Sequence, residues 1–226
     1  MQVAAEGDIA IETLTERQRA VLDAALALIV AEGQPLTMSA LARSASCSKE
    51  TLYKWFGDRD GLLTATVRWQ AAKVRSVPVE PEGLTRETLA HSLTRFAADW
   101  LRVLSGETSV ALNRVAIAEA DSARTDLGAI VLRNGPIAMA RRLQPVLEAG
   151  RVAGLLRFED GEAAFRTFFG LVVRDVQIRL LLGDRLRLGE ADIETQAAQA
   201  TRHFFALYGV EPKAAGSADE TVNRRI

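Results

Sequence analysis

Apolar and polar positions along the chain recur with the period of an α-helix almost throughout. From Glu16 onward, Val21, Leu22, Ala25, Leu28 and Ile29 fall at i, i+1, i+4, i+7 and i+8, one face of a helix. Thr13 or Thr15 offers a cap, Gly33 can take the left-handed conformation that ends the helix, and Pro35 forbids its continuation. Two short segments follow. Thr37 opens a helix of two turns at most over 38–43, Ala45-Ser46-Cys47 is a turn, and Ser48 is an N-cap for a second short helix over 49–56. Gly57 stops it, and Asp58 caps a further helix that runs through Leu62, Leu63, Val67 and Trp69 to about Arg75. Residues 78–83, rich in Pro and Gly, read as a linker.

Longer helical segments occupy about 85–104, 107–121, 124–152, 160–183 and 190–208. Asn134-Gly135-Pro136 falls inside the third and should kink or split it. Residues 1–13 read as a short arm. Residues 210–226 are polar and aperiodic and read as a disordered tail. No stretch shows a convincing strand, and there is no internal repeat.

Two short helices joined by a tight turn have a specific use. The first lies across a DNA backbone while the second enters the major groove, where every base pair shows a distinct pattern. The second helix divides its faces accordingly. Leu52 and Phe56, at i and i+4, face inward, and Ser48, Lys49, Glu50, Thr51 and Lys54 face outward. Near the helix start, Lys49 can donate to guanine, Glu50 can accept from a cytosine amine, and the Thr51 methyl can touch thymine. Thr37, Tyr53, Lys54 and Arg59 are placed to grip phosphates, which fixes register without reading sequence. The predicted fold class is therefore all-α with about nine helices. An N-terminal three-helix, helix-turn-helix DNA-binding domain spans 14–75, and a C-terminal helical domain spans 84–209.

Charge fits this division. The net charge of the 226 residues is −1, yet residues 13–75 hold nine Lys/Arg against six Asp/Glu. A local positive excess matters more for nucleic-acid binding than the total. Hydrophobic residues make up 48% and charged residues 25%, enough for a sizeable core without disulfides or metals. Cys47, the one cysteine, has no partner for an internal disulfide, which fits a reducing cytoplasm. Residues 1–13 carry Glu6, Asp8 and Glu12 but no Lys or Arg, unlike a secretion signal. Apolar runs such as 171–173 and 180–182 are far too short to span a bilayer.

The stretch 36–63 resembles the DNA-binding region of TetR/AcrR-family regulators. It has a Thr-opened helix at Thr37, a turn before Ser48, the run Thr51-Leu52-Tyr53-Lys54-Trp55-Phe56, and the basic Arg59 shortly before Leu62-Leu63. The remainder resembles the family's helical half more loosely. Ala118-Glu119-Ala120, Gly135-Pro136 and Leu180-Leu181-Leu182-Gly183 are similar to features of its AefR-like subgroup. Three positions depart from the family pattern. Ser46 stands for the usual turn glycine, at a cost on the order of 1 kcal/mol if left-handed. Cys47 takes the place of a small apolar residue. Trp55 replaces a frequent His, so a phosphate contact from there is weakened to one indole N–H.

The resemblance implies a homodimer, a repressor released from a palindromic operator by a small molecule, and a ligand cavity in the helical half. Dimerisation is expected through helices at about 160–183 and 190–208. The first is apolar on most faces and must be buried on more than one side, either in the dimer or in the chain's own core. Phe96, Trp100, Arg114, Met139, Phe168 and Phe169 are the candidate ligand contacts. For each aromatic, ordinary core packing is the alternative. His91, Asn113, Glu119 and Arg174 are further polar candidates in this half. The effector itself is not readable beyond an apolar or amphipathic small molecule.

Enzyme chemistry is not expected. His91 and His203 are far apart in sequence, Cys47 has no local His, and neither metal-ligand spacing nor a Gly-rich phosphate loop occurs. No cofactor or metal is predicted. Redox sensing through Cys47, and activation in place of repression, remain open at this level.

Overall fold

The computed structural model describes residues 11–32, 36–75, 79–120 and 126–210. The arm before Ile11, Gly33, Pro35, the start of the 78–83 linker and the tail beyond 210 lie outside the described residues. A 3-10 turn at Ile11–Thr13 leads into α1 (Glu16–Glu32). Thr15 provides its cap: the Gln18 amide donates to Thr15 Oγ1 at 3.2 Å while the Thr15 amide donates back to Gln18 Oε1 at 2.9 Å. Then come α2 (Met38–Ser44), α3 (Lys49–Phe56) and α4 (Arg59–Ala71). Each starts on a side-chain cap foreseen from sequence. Thr37 accepts from the Ala40 amide, Ser48 from the Thr51 amide and Asp58 from the Gly61 amide. Gly61 has its own reason to be glycine: a Cβ there would sit 2.1 Å from the Phe56 carbonyl oxygen at the α3–α4 corner.

The C-terminal helices are α5 (Arg86–Ser105), α6 (Glu107–Ala118), α7 (Leu127–Asn134), α8 (Pro136–Val152), α9 (Gly161–Val173), α10 (Val176–Leu181) and α11 (Glu190–Tyr208). That makes eleven α-helices among the described residues, where about nine were expected. One extra helix comes from the split at Gly135-Pro136, which the sequence announced. The other comes from a break at Arg174, whose φ is 48°, between α9 and α10. No Gly or Pro marks that break. The chain turns there, and α10 is held from outside. Arg114 of α6 donates to the carbonyls of Leu180 (2.6 Å) and Leu181 (3.2 Å), placing a cation at the C-terminus of α10.

The buried side chains form two clusters. One contains Leu22, Ile29, Leu41, Leu52, Phe56 and Leu63 of α1–α4, together with Leu112, Val115 and Ala116 of α6 and Leu127 and Ile130 of α7. The other is built from α5, α8, α9 and α11 around Leu93, Phe96, Leu143, Phe168 and Phe204, and it takes in Ala71 and Val74 at the end of α4. The helix-turn-helix core is thus continuous with two helices of the C-terminal half. No described helix is long and apolar enough to cross a membrane.

Candidate nucleic-acid interface and ligand cavity

α3 is docked through Leu52, fully buried, and Phe56. Its opposite face is open: Lys49, Glu50 and Lys54 are exposed and Tyr53 is 51% exposed. Thr51 is half-buried, and its hydroxyl lies 3.1 Å from that of Ser48, so cap and reader are tied together. The Glu50 carboxyl is held below the usual carboxylate range, first by the backbone amide at its own position and then by the Ser48 hydroxyl. It therefore presents a fixed acceptor at the helix start.

The turn before α3 is strained as the sequence suggested. Ser46 has φ 49°. Arg17 of α1 reaches across and donates to the carbonyls of Ala45 (2.7 Å) and Ser46 (3.0 Å). Nothing in the local pattern marked Arg17, because its partners lie 28 and 29 residues away. Cys47 and Trp55 are half-buried against the first cluster, Trp55 edge-on to Phe56. Thr37 is exposed at the start of α2. Arg59 is turned elsewhere. Its Nε donates to the Leu36 carbonyl at 2.9 Å and its guanidinium lies 3.9 Å from Glu119 at the end of α6. It joins the helix-turn-helix to the C-terminal half more directly than it offers a phosphate contact.

A cavity of 320 Å³ lies between α4, α5, α6, α7 and α8, with Phe169 of α9 and Gln177 of α10 also in its wall. Of the residues expected to contact a ligand, Trp100, Met139 and Phe169 line it. Trp100 stacks on Phe165 and contacts Phe169 with ring centroids 5.0 Å apart. Phe96 is fully buried behind Trp100, and Phe168 is fully buried against Phe204. Arg114 is engaged at α10. Among the other polar candidates Asn113 reaches the cavity wall, while His91 and Arg174 are exposed and away from it. The sequence did not single out Val67, Gln70 and Ala71, which place α4 itself in the wall. A helix read as a connector gave no sign of a cavity-facing side. Among the described residues no group of His, Cys, Asp or Glu could hold a metal ion.

An all-helical chain with an exposed, side-chain-capped reading helix and a cavity touching the helix behind it defines a helix-turn-helix regulator. The family model for bacterial regulatory proteins of the tetR family matches residues 21–66, and that for the AefR-like transcriptional repressor C-terminal domain matches residues 91–210. The chain is 46% identical to a TetR transcriptional regulator from Agrobacterium tumefaciens, covering 88% of this chain and 97% of that one at a TM-score of 0.75. A TetR-family regulator from Mesorhizobium loti is 25% identical over 87% of this chain and all of its own, at a TM-score of 0.70. The flavonoid-responsive regulator FrrA is 28% identical, with 88% and 98% covered and a TM-score of 0.63. No curated protein matches. The chain belongs to the TetR family of transcriptional regulators and carries its AefR-like C-terminal domain.

Proposed function

We propose that the protein is a cytoplasmic repressor that binds a palindromic operator as a homodimer and leaves it when a small apolar or amphipathic molecule fills the cavity. The observation that carries this reading is the position of α4. The helix packs behind α3 through Leu62 and Leu63 and also lends Val67, Gln70 and Ala71 to the cavity wall. An occupant that favours a shifted α4 favours a different spacing of the two reading helices, and it shifts the population only by that difference in affinity. The name of FrrA, a similar regulator described as flavonoid-responsive, supports a small organic effector.

In this reading Lys49, Glu50 and Thr51 contact base edges, Ser48 sets the helix start, and Thr37, Tyr53 and Lys54 hold phosphates, while Arg59 ties the α4 start to Leu36 and Glu119. Pairing runs through α9, α10 and α11, where Ile178 (54%), Leu182 (80%) and Leu207 (62%) are exposed apolar side chains. The test is selection of bound sites from random DNA at stated salt. A two-fold symmetric site is expected. Lys49→Ala or Thr51→Ala should blur its preferred bases, and Tyr53→Phe should weaken all sites alike. An asymmetric or absent consensus would refute the dimeric reading.

A further inference from the structure

The cavity sits on the seam between the two apolar clusters. Val67 and Leu112 come from one, and Ala71, Trp100 and Met139 come from the other. Its polar surface is made of carboxamides and one hydroxyl, from Gln70, Ser109, Asn113 and Gln177. No Asp, Glu, Lys, Arg or His is among the described residues that line it. Two cations stand outside the lining, each with a donor committed to a neighbouring carbonyl oxygen. Lys73 Nζ donates to Gln70 Oε1 at 2.8 Å, and the Arg142 guanidinium donates to the Ala71 and Val74 carbonyls. A charged group entering this space would lose water and gain no counter-charge in contact with it from the described residues.

The volume of 320 Å³ is at the small end of ligand pockets. At one point two helices meet there through a neutral hydrogen bond: Gln70 Nε2 of α4 donates to Ser109 Oγ of α6 at 3.2 Å, and both side chains are buried.

Resting on the reading that this cavity receives the effector, we propose that the effector is an uncharged, mainly aromatic molecule with a hydrogen-bonding oxygen or nitrogen that meets the Gln70–Ser109 pair. Selection against charge is a property of the wall itself. It needs no gate, because the polar side chains that the described residues place on the wall are neutral and can hydrogen-bond a carbonyl, hydroxyl or amine.

The experiment uses two fluorescent probes of the same size and ring system, 1-anilinonaphthalene-8-sulfonate and its uncharged sulfonamide, with the full-length protein. The sulfonamide is expected to bind at least tenfold tighter. Gly128→Phe should weaken it tenfold or more. Gly128 lines the cavity and a Cβ there meets nothing within 4 Å, so the added side chain starts from open space. Asn113→Lys, which adds a cation to the wall, should narrow or reverse the preference between the probes. If the sulfonate binds as tightly as the sulfonamide and both respond to Gly128→Phe, the cavity is a ligand site but charge selection is refuted. If neither probe responds to Gly128→Phe, the effector-site reading falls and the proposal falls with it.

Discussion

Arg142→Met should destabilise the protein by about 2 kcal/mol. Arg142 is a half-buried residue of α8 whose guanidinium donates to the carbonyls of Ala71 and Val74, just where α4 ends. The Ala71 carbonyl also accepts a turn bond from the Val74 amide at 3.2 Å, and both carbonyls face the cation where the helix ends. Burial first, and repulsion from Arg68 second, pull the Arg142 pKa down, while Glu12 opposes them; an arginine still stays charged at neutral pH. Each hydrogen bond from a charged donor is worth roughly 1.5–3 kcal/mol. Desolvation of the guanidinium, water access to the vacated carbonyls and the packing kept by the Met stem offset about half of the pair. For a chain of this size about 2 kcal/mol corresponds to roughly 4–8 °C in Tm. Both bonds come from Nη1, so Arg142→Lys, which keeps the charge on a shorter stem, should fall between. The assay is thermal unfolding at one fixed protein concentration, since a dimer's Tm moves with concentration. A Met variant melting within about 1 °C of the parent would show that water serves these carbonyls equally well and that the clamp is idle.

Four further outcomes are expected. Ser46→Gly relieves the left-handed strain at φ 49° and should stabilise by about 1 kcal/mol, read by urea unfolding; a loss of stability would mean that the Arg17 strap depends on the serine. Phe168→Ala removes a fully buried ring and should cost about 3–5 kcal/mol. Phe169→Ala, at the half-buried cavity wall, should cost clearly less and act mainly on probe affinity; equal losses in melting would contradict the division. Glu190 is held below its usual range by its hydrogen bonds with Arg102, so its contribution is complete above the unfolded carboxylate pKa and is lost as pH falls through the lower folded one. Glu190→Gln should accordingly flatten the acid limb of the Tm–pH curve, and an unchanged limb would show that the pair adds nothing measurable.

Local signals were read correctly where both partners lie within a few residues. The caps Thr37, Ser48 and Asp58 bond three residues ahead, and Leu52 and Phe56 share a face because four residues make about one turn. Ser46 was suspected of a positive φ because it stands where the resembled family has its turn glycine. What escaped depends on distant chain. Trp100 and Phe96 lie four apart on one helix, and it takes the packing of distant helices for the first to reach the cavity while the second is buried behind it. Arg114 looked like a ligand contact until α10 broke away from α9 and offered its carbonyls. The break at Arg174 carries no residue of special backbone preference, so periodicity ran straight through it.

Leu112, Val115, Ala116, Leu127 and Ile130 complete the core of the helix-turn-helix from outside it. The segment 14–75 is therefore not a portable cassette. Moved onto another sensor, it would carry an unroofed apolar face and ask the new host for a matching pair of helices. Domain exchange among relatives should succeed when the junction is cut so that α6 and α7 travel with the reading head, and the natural unit of inheritance for operator choice is then a discontinuous one.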